Sequence, residues 1–165
     1  MSFCELGMPV LPPRERLATV RETVARLRDL DGPHAHTPVV MAVRGRKAQA
    51  LAVEVADTVT FAASSSDTRE PLAEMAHEFR AGREIELALH VSVVGDTVAP
   101  FMASARDTDP GALRKADSLA ILPDDPAAAA EEIQRRREEI GFSYIVLGAG
   151  SAEVLAPTVN KLAGQ

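Results

Sequence analysis

Residues 41–59, MAVRGRKAQALAVEVADTV, decide the fold. The apolar run Pro38-Val39-Val40-Met41-Ala42-Val43 shows no alternation with polar positions, which suits a strand buried on both faces of a parallel sheet. It stops at the basic turn Arg44-Gly45-Arg46-Lys47. Ala48, Leu51, Ala52 and Val55 then recur at helical spacing, and a second apolar run follows Asp57. The stretch therefore reads as strand, basic turn, helix, strand.

The same alternation extends in both directions. Pro12-Pro13 opens a helix whose stripe is Leu17, Val20, Val24 and Leu27, and Asp31-Gly32-Pro33 stops it. Thr58 to Ala62 reads as a strand and Ser64 to Thr68 as a loop. Pro71 starts a helix with Leu72, Met75, Ala76 and Phe79 inward. Ile85 to Val94 is the longest β-branched run and reads as one strand. Residues 95–118 mix Gly, Pro, Asp and Ser, with a short helix at Gly111 to Ala116. Order resumes at Asp124-Asp125-Pro126, an N-cap before a helix carrying Ala130, Ile133, Arg137 and Ile140, closed by Gly141. Tyr144 to Leu147 is a strand, Gly148-Ala149-Gly150 a tight turn, and Ser151 the cap of a last helix, which Pro157 should bend or delay.

These elements predict an α/β domain spanning residues 1–165. Its sheet has four parallel strands, near 39–43, 58–62, 85–94 and 143–148, joined by crossover helices on one face. Four such strands make half of a TIM-type (β/α)8 barrel, which leaves two raw edges and invites self-association.

Charge narrows the function. Residues 1–50 carry eight Lys/Arg against five Asp/Glu, a net of +3, and residues 51–165 carry ten against nineteen, a net of −9. An acidic chain with no Trp and one Tyr argues against nucleic-acid binding. No apolar run approaches the roughly 20 residues needed to span a bilayer, and no leader is read. The single cysteine, Cys4, forms no internal disulfide, so the expectation is a cytoplasmic protein.

Two turns at strand ends are the candidate sites. At the first, Arg44 offers a bidentate fork, Gly45 permits close approach, and Arg46 and Lys47 add charge where a helix N-terminus presents N–H groups to an anion. At the second, Gly148, Gly150 and Ser151 could cradle an oxyanion. The alternative for the first is a solvated basic turn paired with local acids, and the second is more commonly a plain connection. His90 reads as an interior histidine, and His34-Ala35-His36 lacks the further ligands of a metal site. Arg135-Arg136-Arg137, opposite Glu131, Glu132, Glu138 and Glu139, reads as a solvated helix face. No phosphate-binding Walker loop or nucleophile elbow is present.

Three segments carry a resemblance, in order along nearly the whole chain. MAVRGRKAQALAVEVADTVTFA resembles a strand–turn–helix segment of the luciferase-like monooxygenase superfamily, in its deazaflavin (coenzyme F-420)-dependent oxidoreductase branch. Glu5-Leu6-Gly7-Met8-Pro9 with Pro12-Pro13-Arg14-Glu15-Arg16-Leu17 is similar to the family's mid-barrel helix start. Phe142 to Val146 with Glu153 to Pro157 is similar to its last strand and helix. Arg44-Gly45, Arg46 and Thr58 replace the family's usual Gly-Gly, proline and glycine at those places. The resemblance covers only the C-terminal half of such a barrel. It implies an oxidoreductase acting on a small-molecule substrate by hydride transfer or oxygenation, with a deazaflavin or FMN held by Arg44, Gly45, Arg46, Lys47, Gly148, Gly150 and Ser151. It also implies a homodimer or heteromer completing the barrel, and no cofactor in the isolated chain is equally open. The alternative is a non-catalytic half-barrel that binds a ligand or a partner subunit.

Overall fold

A computed structural model describes residues 10–61, 68–80, 84–99 and 108–163. The element order is α1 (Pro13–Asp31), β1 (Val40–Val43), α2 (Arg46–Val55), β2 (Thr58–Phe61), α3 (Arg69–Arg80), β3 (Glu86–Val91), β4 (Val93–Val94), β5 (Thr97–Val98), α4 (Pro110–Lys115), β6 (Ile121–Leu122), α5 (Pro126–Glu139), β7 (Phe142–Leu147) and α6 (Ala152–Leu162). The expected alternation is present. Strands β1, β2, β3 and β7 form a four-stranded sheet in that order, every neighbouring pair parallel.

Local chemistry starts and stops the helices. Pro13 occupies the first turn of α1, where its missing N–H is no loss, and Gly32 closes it at φ 65 with its N–H on the Arg28 carbonyl. Asp125 caps α5 by accepting from the Ala128 N–H at 2.8 Å, and Asp109 caps α4 by accepting from Ala112 at 2.7 Å. Gly141, at φ 101, closes α5 as read from the sequence.

The sheet has one covered and one open face. Met41 and Val43, Val59 and Phe61, Leu87, Leu89 and Val91, and Phe142, Ile145 and Leu147 share the covered face and pack with Ala52, Leu72, Phe79 and Leu155 of the helices. Phe61 anchors this layer, edge-to-face with Phe79 at 5.7 Å and with Phe142 at 5.9 Å. On the other face, Val40, Ala42, Thr60, Glu86, His90, Tyr144 and Val146 are half-buried or exposed, while Thr58 and Ala88 in the middle of the sheet are buried. A bulge keeps β7 in phase. Leu87 pairs with Phe142 but Ala88 pairs with Tyr144, so the additional Ser143 returns Ile145 and Leu147 to the covered side.

Several expectations need correction. The single strand over Ile85 to Val94 is two strands in two sheets, broken at Ser92. Its far end, β4, pairs with β5 antiparallel and with β6 in parallel. The hairpin turns on Gly95 at φ 57, where a Cβ would meet the Asp124 side chain at 2.7 Å. Neither β5 nor β6 was expected. Strand β2 ends at Phe61, and Ala62, the loop before Thr68 and the Glu5-to-Pro9 segment lie outside the described residues. The α1 stripe is thinner than its spacing predicts, because the helix buries no residue and Val20 stays exposed. Pro157 does not delay α6, which begins at Ala152 and contains it.

The largest correction concerns α5. Arg137 is exposed, whereas Arg136 is only 1% exposed and makes the central polar contacts of the fold. Its guanidinium donates to the Leu119 carbonyl at 2.9 Å, to the Ile121 carbonyl at 2.7 Å and to Glu132 at 2.6 Å. Glu132 also accepts from Arg69 of α3 at 2.6 Å and from Arg135 at 2.8 Å. Burial pushes the Glu132 carboxyl up, but the Arg136 and Arg69 hydrogen bonds outweigh it and hold its pKa below the usual glutamate range.

Arg136→Ala should therefore lose about 3 to 5 kcal/mol in urea unfolding, because it removes a buried guanidinium, leaves the Leu119 and Ile121 carbonyls without their donor and takes one of three arginine partners from Glu132. Arg137→Ala on the exposed face should stay within about 0.5 kcal/mol. Since the folded state depresses the Glu132 pKa, its contribution is complete above the unfolded value, about 4.3, and is lost as pH falls through the folded value. Unfolding midpoints measured from pH 7 to pH 3 should fall more steeply for the parent chain than for Glu132→Gln.

Candidate functional site

In a parallel sheet all strands end at one rim, and both sequence-read turns lie on it. Arg44-Gly45-Arg46-Lys47 follows β1, and Gly148-Ala149-Gly150-Ser151 follows β7. These strands are the opposite edges of the sheet. Three strand spacings separate them, about 14 Å. One chain therefore brings the two groups to the same end without bringing them together.

The basic turn leads directly into α2. Gly45 is the N-cap residue, with φ −95 and ψ 151, and no side chain caps the first-turn N–H groups. Its carbonyl accepts from Ala48 at 2.9 Å and from Gln49 at 3.0 Å, and the Gln49 side-chain amide donates to the Arg44 carbonyl at 3.2 Å. The backbone of the turn is thus held while Arg44, Arg46 and Lys47 remain exposed. Among the described residues, Arg46 and Lys47 form no ion pair. An uncapped helix start flanked by two such cations can hold a phosphate or carboxylate.

The second turn differs from its sequence reading. Gly148-Ala149-Gly150 is not a tight glycine turn. Ala149–Ser151 forms one 3-10 turn that runs into α6, and Gly148 sits at φ −67. Ser151 holds the N-cap position, but its buried side chain makes no capping hydrogen bond. Nor does the fold demand glycine at these positions. A Cβ at Gly45 or Gly150 would meet nothing within 4 Å, and one at Gly148 would touch the Ala99 methyl at 3.4 Å.

A polar row that the sequence reading missed crosses the open face. Thr58 donates to Glu86 at 2.8 Å. Tyr144 stands opposite Ala88, between the levels of Glu86 and His90, and is 49% exposed. His90 is exposed rather than enclosed. The available signal was period two, since Glu86, Ala88 and His90 alternate with Leu87, Leu89 and Val91. The row offers an acid, a phenol and an imidazole on one surface.

The opposite rim is structural. His36 lies 2.8 Å from Asp57, which also accepts from the Val39 N–H at 2.8 Å and from Arg28 at 3.0 Å. Burial raises the Asp57 pKa, but the Val39 N–H and His36 bring it below the usual aspartate value. No group of three potential metal ligands exists among the described residues. No helix there is long and apolar enough to cross a membrane.

No protein-family model matches the chain, and no curated protein matches it.

The glycine geometry yields a direct test. Gly45→Ala and Gly150→Ala should change stability by less than about 1 kcal/mol in thermal unfolding, since neither backbone conformation excludes a side chain. Gly95→Ala should cost at least about 1 to 3 kcal/mol, because it combines a positive φ with a collision against Asp124.

Proposed function

We propose that the chain is a half-barrel oxidoreductase subunit of luciferase-like type, which takes the phosphate of a deazaflavin or FMN at the Arg44-to-Lys47 turn and works with a partner that completes the barrel. The observation that carries this reading is the pairing of an uncapped α2 start with exposed Arg46 and Lys47 at the C-terminal rim of a parallel sheet. Rims of this kind are where (β/α)8 proteins place their chemistry. The polar row of the open face adds support, because barrel closure would turn Glu86, His90 and Tyr144 towards an interior.

The residues fit one end of the cofactor. Arg44, Gly45, Arg46 and Lys47 suit a phosphate, and Gly148, Gly150 and Ser151 leave room for a second polar group at the far edge. Among the described residues nothing encloses the ring end in a single chain, since Tyr144 and Val146 are exposed. When bound, the cofactor would supply hydride transfer or oxygen activation. The chain's own contribution is to anchor the anion and to present the open face. A small-molecule substrate and a cytoplasmic location belong to the same proposal.

The exposed polar face also favours the second reading, a non-catalytic half-barrel that binds a ligand or a partner subunit, because the Glu86 carboxylate is already engaged by the Thr58 hydroxyl. Fluorescence titration with deazaflavin and with FMN separates the readings. Binding should be weak, between millimolar and tens of micromolar, about 4 to 7 kcal/mol. The double variant Arg46→Ala/Lys47→Ala should weaken it about tenfold or more with an unchanged circular dichroism spectrum. Binding without turnover of reduced cofactor favours the non-catalytic half-barrel. No binding of either cofactor overturns the oxidoreductase reading.

A further inference from the structure

We propose that two copies of the chain join head to tail about a twofold axis lying along the strands. In this arrangement β1 of each copy pairs in parallel with β7 of the other, and α1 of each seats beside β7, α5 and α6 of its partner. The inference rests on the half-barrel reading above and commits it to one occupant, a second copy of this chain.

Topology limits the arrangements. Among the described residues, β1 and β7 each have one strand neighbour, so each sheet has two free edges. Pairing like edges across a perpendicular twofold would make an antiparallel seam and leave the other edge of each copy open. Pairing β1 with β7 instead keeps every strand parallel and satisfies both edges at once. Two sheets of four strands then close at eight, a number at which a barrel's interior is filled by its own side chains.

The surfaces at the two edges complement one another. Val40 is 57% exposed beside the β1 edge, while Tyr144, Val146, Val154 and Val159 are exposed on β7 and α6. A groove of about 750 Å³ runs along β7 between α5 and α6, with Ile133, Ile145, Leu147, Leu155 and Leu162 in its walls. Helix α1 carries an apolar stripe, yet it buries no residue in its own chain. The same closure would cover both the stripe and the groove. Charge agrees as well. Arg46 and Lys47 crown the β1 edge, and Glu153, exposed in the first turn of α6, crowns the β7 edge at the same end.

One consequence concerns the site. The turns after β1 and β7 stand at opposite edges of one chain, but the seam makes them neighbours, Arg46 and Lys47 of one copy beside Gly148 to Ser151 of the other. The polar rows of both copies would line the shared interior.

Sedimentation velocity of the full chain, without any cofactor, should show a dimer that dissociates on dilution. Lys47→Glu and Glu153→Lys should each weaken it about tenfold, and the double reversal should restore it. Hydrogen exchange should protect the amides of both Val40–Val43 and Phe142–Leu147 as concentration rises. A monomer at all concentrations overturns the proposal, as does protection confined to one edge or a dimer indifferent to both charge reversals. The cofactor titration is independent. A dimer of the expected kind that binds neither deazaflavin nor FMN retains this seam and removes the oxidoreductase reading. A monomer that binds cofactor does the reverse.

Discussion

The guanidinium of Arg136 holds together parts of the chain that have little else in common. Its fork reaches two carbonyls that flank and enter the two-residue strand β6, and its third contact is a carboxylate shared with Arg69 of α3. Those contacts tie β6, which is otherwise held by its two-residue pairing with β4 and its packing beside Leu113 of α4, to the long helix α5. Without β6, the second sheet would lose its parallel member. Placing α5 in turn places β7, because the helix leads into that strand through Gly141. A single charge at the helix–sheet boundary thus connects the two sheets. Such a group is expensive to bury, and here two backbone carbonyls and a carboxylate compensate it.

How far the sequence showed this architecture depends on the length of each signal. Four strands with apolar runs and five helices with caps or stripes were legible, besides the short helix near Gly111, and their alternation led to parallel pairing. The two-residue strands β5 and β6 were not, since two residues carry no period. Arg136 was hidden for a related reason. Counting from Ile133, a three- or a four-residue step falls on the same helix face, so Arg136 and Arg137 compete for the inward place. Composition favoured water for both. The acceptors that settle the matter are backbone carbonyls of the unread strand.

The candidate site was legible as position and not as geometry. Residues at strand ends could be named because parallel strands share a rim. That Arg44-to-Lys47 and Gly148-to-Ser151 occupy opposite edges depends on β7 pairing with β3, a contact between distant parts of the chain. The glycines misled in a specific way: their small size suggested tight turns, but the left-handed backbone lies at Gly32, Gly95 and Gly141. The row of Glu86, His90 and Tyr144 needed the β7 bulge at Ser143 to fix which residues of that strand share its face.

The order of strands in the main sheet also governs how the chain can fold. β1, β2 and β3 pair with their nearest neighbours in sequence, each across one helix. β7 must instead find β3 across the whole segment that holds β4, β5, α4, β6 and α5. That loop is about twice as long as the one between β2 and β3, which adds roughly 0.6 kcal/mol of closure entropy if the segment is a free coil. Folding of the insert first shortens the effective distance. The second sheet and the arginine cluster then act as a splint, whose early formation sets the rate at which the last edge of the main sheet can close.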